Sequence, residues 1–148
     1  FEANRRFPLS AEGDYFTLWV GQLHLPTRSL SYASAGHHGV LLSPAERPCR
    51  WLTRPSSPLG FDPGATFSSD QITLAVADRL FLMSDGIYEA SSPTGEPWGR
   101  WRFQQSIETQ RRSSLPATIS HCFTEARRWH EQCDFFDDAA VVGLEFTV

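Results

Sequence analysis

An α+β fold is what the sequence predicts, on three observations. Strand-like segments crowd residues 15–84, two helical segments follow between 100 and 131, and one strand-like segment closes the chain. Helices and strands are therefore segregated, not alternating. The 148 residues, 41% hydrophobic and 20% charged, suit one globular domain with its own core.

Each element has its own warrant. "FEANRRF" (1–7) reads as the last turns of a helix that Pro8 stops. "YFTLWVGQLHL" (15–25) mixes β-branched and aromatic residues as a strand does. "PTRS" turns the chain and "LSYASAG" (30–36) returns as the second strand of a hairpin. "VLLS" (40–43) and "RWLT" (50–53) are short strands around a polar, proline-bearing connection, and the breakers in "RPSSPLGFDPGATFS" (54–68) make that stretch loop. "ITLAV" (72–76) and "RLFLMS" (79–84) are two strands joined tightly through Ala77 and Asp78.

Beyond Asp85 the pattern changes. "SSPTGEPWG" is a turn-rich loop and "RWRFQQSIETQRR" (100–112) has helical spacing. A second helix spans 113–131, with Ser114 as its cap and Pro116 tolerated in its first turn. Ile119, Phe123, Ala126 and His130 share one face of it, with Cys122 and Trp129 alongside. The final strand, "AAVVGLEFTV", carries Val141, Leu144, Phe146 and Val148 as apolar positions. No internal repeat or low-complexity tract interrupts the series.

Charge and cysteine usage narrow the function classes. Seventeen acidic against 13 basic residues give a formal charge of -4, which offers no basic face for nucleic acid. Every basic residue is arginine, a usage that codon bias in a GC-rich genome explains. Cys49, Cys122 and Cys133 form neither a C-x-x-C pair nor a disulfide framework, so a reducing cytoplasm is expected. No apolar run approaches the ~20 residues of a membrane span, and no signal segment opens the chain. Because the first residue is Phe1 and not methionine, the chain is expected to be a piece of a longer protein.

Two acidic stretches carry the candidate chemistry. In "FLMSDGIYEA" (81–90) Asp85 leaves an apolar strand with Gly86 behind it, and in "DFFDDAAVVGLEF" (134–146) Asp137 and Asp138 stand before one. Strand-end loops hold polar groups accurately while keeping them reachable. If the two strands are antiparallel neighbours, Asp85 and Asp137 meet at one end of the sheet. Carboxylates converging there without an arginine would repel, and a hard divalent cation with oxygen ligands, Mg²⁺ or Mn²⁺, relieves that. Gly86 permits close backbone approach. On spacing alone, S-D-G after a strand is more often a plain turn, and D-D before a strand is often an exposed loop.

The order of several stretches adds to this. "YFTLWVGQLHLPTRSLSYASAGHHGVLL", "SPLGF", "DRLFLMSDGIYEA", "GEPWG" and "DDAAVVGLEF" together resemble the stage II sporulation protein E type of PPM serine/threonine phosphatases, over nearly the whole chain. The resemblance implies two antiparallel β-sheets packed face to face as a β-sandwich, flanked by helices. It also implies a binuclear Mn²⁺ or Mg²⁺ centre hydrolysing phosphoserine or phosphothreonine on a regulatory protein such as an anti-anti-sigma factor. Asp85 matches the aspartate of the strand-D-G motif and Asp137 the first aspartate of the D-D or D-N motif, both metal ligands. Asp138 is then a supporting group or alternative ligand, and Gly86 the required small residue. "AGHH" keeps Ala35, Gly36 and His37 of the family's A-G-H-P, and for His37 a structural role is expected ahead of one at the site. The resemblance also implies a sensory or receiver domain upstream, and no membrane contact by this domain.

One departure matters. The family's first metal motif, an aspartate followed by G-H-G on an N-terminal strand, has no counterpart: Glu2, Glu12 and Asp14 lack the strand and the glycines. Residues 1–148 are therefore expected to be the C-terminal portion of a phosphatase domain, inactive alone. The alternative is a phosphatase-like binding module that docks a signalling partner without turnover. Three other features have plain structural readings: Trp98 and Trp101 pack a helix onto a sheet, Arg111 and Arg112 solvate a helix end, and Cys122 is an inert thiol on an apolar face.

Overall fold

The computed structural model describes residues 2–131, 135 and 137–147; Phe1, Cys133, Asp134 and Val148 lie outside the described residues. Two compact units divide the chain, 1–40 with 51–74 and 41–50 with 75–148. Two antiparallel sheets with helices make up its architecture, the fold class expected.

The first unit is built on the hairpin of β1 (Leu18–His24) and β2 (Ser29–Ala35), with β5 (Ser69–Thr73) on the far side of β2 in the order β1-β2-β5. Antiparallel register sets Val20 opposite Ala33 and Tyr32 opposite Asp70. Alternation then sends Leu30 and Tyr32 inward, where Trp19 stacks on Tyr32 at 5.8 Å and its indole N–H donates to the Leu52 carbonyl. The helix predicted before Pro8 is present as α1 (Glu2–Arg6). Its one buried residue, Asn4, accepts from Gly60 N–H at 2.8 Å and donates to the Asp62 carbonyl at 2.9 Å, which ties the irregular 54–68 stretch to α1.

The four-stranded sheet has the order β4-β3-β6-β7, from β3 (Val40–Ser43), β4 (Arg50–Leu52), β6 (Arg79–Met83) and β7 (Val141–Glu145), with β6 and β7 wholly in the second unit. Leu80, Phe81 and Met83 of β6 are buried, as befits a strand with a partner on each side. Helices α3 (Gly99–Thr109) and α4 (Leu115–His130) follow the predicted spans closely. Ser114 caps α4 by accepting the Ala117 N–H, Pro116 sits in the first turn, and Glu131 ends the helix in the left-handed conformation. Gly143 lets α4 lie against β7, since a Cβ there would meet the Leu115 side chain at 2.8 Å.

Four local readings need correction. The strand placed at 72–76 runs instead over Ser69–Thr73. Ala75 is withdrawn because its N–H and that of Ala45 go to the buried Asp78 carboxylate, while Ala77 turns with φ 66. β5 and β6, adjacent in sequence, accordingly join different sheets. The stretch after Asp85 contains a short helix, α2 (Gly86–Glu89), that no periodicity signals over four residues. The buried line of α4 is Thr118, Cys122, Ala126 and His130, leaving Ile119 and Phe123 half-buried beside it. Trp98 is buried against the edge of Phe103, but Trp101 is 68% exposed and packs no sheet.

Candidate metal centre

The geometry of the acidic loops follows from one register. β6 and β7 are antiparallel neighbours with Met83 opposite Val141, so the chain leaving β6 and the chain entering β7 lie side by side. That is the condition under which Asp85 and Asp137 reach the same end of the sheet. Ser84 extends the ladder by one rung. Its N–H donates to the Ala140 carbonyl at 3.0 Å, its Oγ accepts the Ala140 N–H at 2.8 Å, and that same hydroxyl donates to the Asp138 carbonyl at 2.7 Å. Gly86 completes the junction: a Cβ there would fall 2.6 Å from the Asp138 carbonyl oxygen and 3.1 Å from that of Asp137. Any larger residue would push the loops apart, so the glycine is required by contact and not by an unusual φ.

This backbone clamp leaves the carboxylates outward. Asp85, Asp137 and Asp138 are all exposed. Asp85 opens α2, its carbonyl accepting the N–H groups of Tyr88 and Glu89. Asp137 Oδ1 accepts the Asp138 N–H at 2.7 Å, which fixes that oxygen. Among the described residues none of the three joins an ion pair. Acidic residues on two adjacent loops at one sheet end offer the oxygen ligands that a hard divalent cation prefers. Among the described residues, however, no group of three or more His, Cys, Asp or Glu side chains is assembled as a metal site.

Two neighbours were not singled out by sequence. Ser84 is the clamp, and its place directly before the acid in S-D-G was the available signal. Tyr88, one turn after Asp85, has its phenol pushed up to about 12, first by burial and then by the negative charges of Asp85 and Glu89. Burial holds Arg100 below the usual arginine range, against the opposing influence of Tyr88. His37 belongs to the first unit. Its Nδ1 accepts the Gly39 N–H at 2.9 Å, its carbonyl accepts from Ser34 Oγ, and its ring stacks on His38 at 4.0 Å, contacts that shape the turn between β2 and β3. Among the described residues no helix is long and apolar enough to cross a membrane.

Comparison with known proteins agrees with this architecture. The protein IcfG of Synechocystis is 30% identical over 93 residues, 63% of this chain and 15% of its own length. The SiaA-PP2C domain of Pseudomonas aeruginosa superposes with a TM-score of 0.70 at 19% identity, covering 81% of this chain and 47% of that one. The PP2C phosphatase domain of the cell fate determinant SpoIIE from Bacillus subtilis, solved with a fragment of its regulatory domain, gives a TM-score of 0.78 at 19% identity over 97% of this chain and 43% of that one. The chain thus has a PPM-class (PP2C-type) phosphatase fold while spanning less than half the length of these relatives. The family model for stage II sporulation protein E (SpoIIE) matches residues 2–147, and the chain belongs to that family.

Proposed function

We propose that this chain is the C-terminal portion of a metal-dependent protein serine/threonine phosphatase that dephosphorylates a regulatory phosphoprotein of the anti-anti-sigma type in bacterial signalling. The observation that carries the reading is the β6–β7 register, which sets the S-D-G and D-D loops side by side and joins them through Ser84. Membership of the SpoIIE family supports the same chemistry. In this reading Asp85 and Asp137 hold Mn²⁺ or Mg²⁺, and Asp138 supports them or offers an alternative oxygen. Divalent metal bound there supplies Lewis acidity for hydrolysing a phosphate ester. The chain's own part is positional: Ser84 and Gly86 fix the loops, and Asp137 is exposed on one of them. The remaining ligand, an aspartate near a G-H-G, comes from upstream of Phe1, and a cytoplasmic setting with an upstream sensory or receiver domain belongs to this proposal.

A second reading is a phosphatase-like module that binds a signalling partner without turnover; the described residues hold no group of three or more His, Cys, Asp or Glu side chains, as the first reading also expects. The full-length gene product assayed with p-nitrophenyl phosphate separates the two. Mn²⁺-dependent hydrolysis establishes the enzyme; none, with a folded protein, establishes the binding module.

A further inference from the structure

The second unit carries a cleft of its own at the end of β6 away from Asp85. β6 begins at Arg79 and Asp85 lies beyond its other end, so a strand length of roughly 13 Å separates the two ends. The cleft, about 560 Å³, is lined by the loop after β3 (Ser43–Glu46), by Ala77 and Arg79, and by the end of α3 with the residues after it (Glu108–Arg112). That volume suits a small organic ligand more than a lone ion.

Three arginines face this space, and two acids. Arg79 is fixed, its side chain only 13% exposed, with Nε donating to Glu145 at 2.9 Å and Nη1 to the Arg111 carbonyl at 3.4 Å. Of the acids, Glu108 is committed: its oxygens accept from Cys49 N–H, Gln104 and Gln105. Glu46 is exposed on the loop. Arg111 lies beside the Cys49 thiol, and its Nε is buried with no hydrogen-bond partner among the described residues. A buried guanidinium N–H left without an acceptor is costly unless something supplies one. Arg112 adds an exposed guanidinium at the rim.

We propose that this cleft binds the phosphate groups of a small phosphorylated molecule, with Arg111 and Arg112 as the principal contacts and Arg79 as a fixed positive floor. Guanidinium groups take phosphate through paired, charge-assisted N–H bonds. The site lies away from the acidic loops, so it does not depend on their assignment to catalysis.

The test is titration of the protein with ATP, pyrophosphate and inorganic phosphate in EDTA, followed by calorimetry and by amide NMR shifts. EDTA removes divalent metal, so the Asp85 end has nothing with which to hold phosphate. ATP or pyrophosphate is expected to move the amides of Ser43–Glu46 and Arg111–Arg112. Arg111→Gln and Arg112→Gln should each weaken binding about 10-fold, the scale of one charged hydrogen bond. Equal affinity for inorganic phosphate identifies the free ion as the ligand, and tighter ATP binding a nucleotide; both support the site. Unaltered affinity in Arg112→Gln, which is exposed and leaves the fold intact, together with Arg111→Gln overturns it. So do shifts confined to Asp85–Glu89, or no binding by any of the three probes.

Discussion

At the residue scale the proposed function rests on three acids with unequal surroundings. Asp85→Asn keeps size and hydrogen bonding but removes the charge that attracts a cation. In the full-length protein it should lower Mn²⁺-dependent phosphatase activity by on the order of 10²-fold or more, comparable with losing a principal electrostatic stabiliser. Asp137→Asn should behave alike. Asp138→Asn should cost less and recover in part at raised Mn²⁺, because Asp138 is proposed only as a supporting group or alternative ligand. Assaying the three variants over a Mn²⁺ series decides this, and near-normal turnover in Asp85→Asn would reduce that residue to a turn. Gly86 gives a prediction independent of catalysis. With 2.6 Å between a new Cβ and the Asp138 carbonyl, Gly86→Ala must move one loop and should destabilise the fold by about 1–3 kcal/mol, read as a lower denaturant midpoint. The acids and the glycine were legible as motifs in the sequence. The role of Ser84 was not, because a hydroxyl bridging two loops 54 residues apart leaves no local pattern.

Elements were legible where a period had room to repeat. Eleven residues of α3 and sixteen of α4 announced themselves, down to the Ser114 cap. Four residues of α2 could not, and the end of β5 was decided by the distant demand of the Asp78 carboxylate for backbone N–H groups. The inward line of α4 also shifted by one residue: Thr118 is polar, yet it is buried because its hydroxyl donates within its own helix end and to the Gln110 carbonyl. That line gives a pH prediction. Burial pushes the Cys122 thiol up from 9.0 to about 11, partly offset by the Ser106 hydroxyl 3.0 Å away. The native state therefore holds this proton more tightly than the unfolded chain. The contribution is complete below pH 9 and is lost as pH rises from 9 toward 11. Melting temperature should fall across that window, and Cys122→Ala, less stable at neutral pH by about 1–2 kcal/mol for the lost sulfur contacts, should show a shallower alkaline decline. An identical decline in the variant would assign the effect to other groups.

For the whole molecule, the order of elements foretold an α+β chain and the family resemblance its two antiparallel sheets, but neither told which strands share a sheet, since β5 and β6 are consecutive and part company. Sheet membership is a long-range property that a tight turn does not encode. Its consequence is visible on the first unit, where among the described residues β1 has a strand partner on one side only. Residues 18–23 of that edge, "LWVGQL", contain no charge. Leu18 and Val20 are 40% and 53% exposed, with Tyr15 and Phe16 at 53% and 58% just before them. Natural edge strands are usually blunted by lysine, proline or a bulge, and contiguous exposed apolar surface marks a face that something covers. Residues 1–148 expressed alone should therefore self-associate through β1. Light scattering after size exclusion should give a mass above one chain that rises with concentration. Val20→Lys, a substitution at an exposed position, places a charge on the edge and should return the protein toward one chain without lowering its melting temperature by more than a few degrees. A product extended upstream of Phe1 should lose the association if the added chain covers the same strand. A protein of residues 1–148 that stays monomeric at high concentration and melts cooperatively would show that the β1 edge is tolerated bare and that no further segment is needed to complete this sheet.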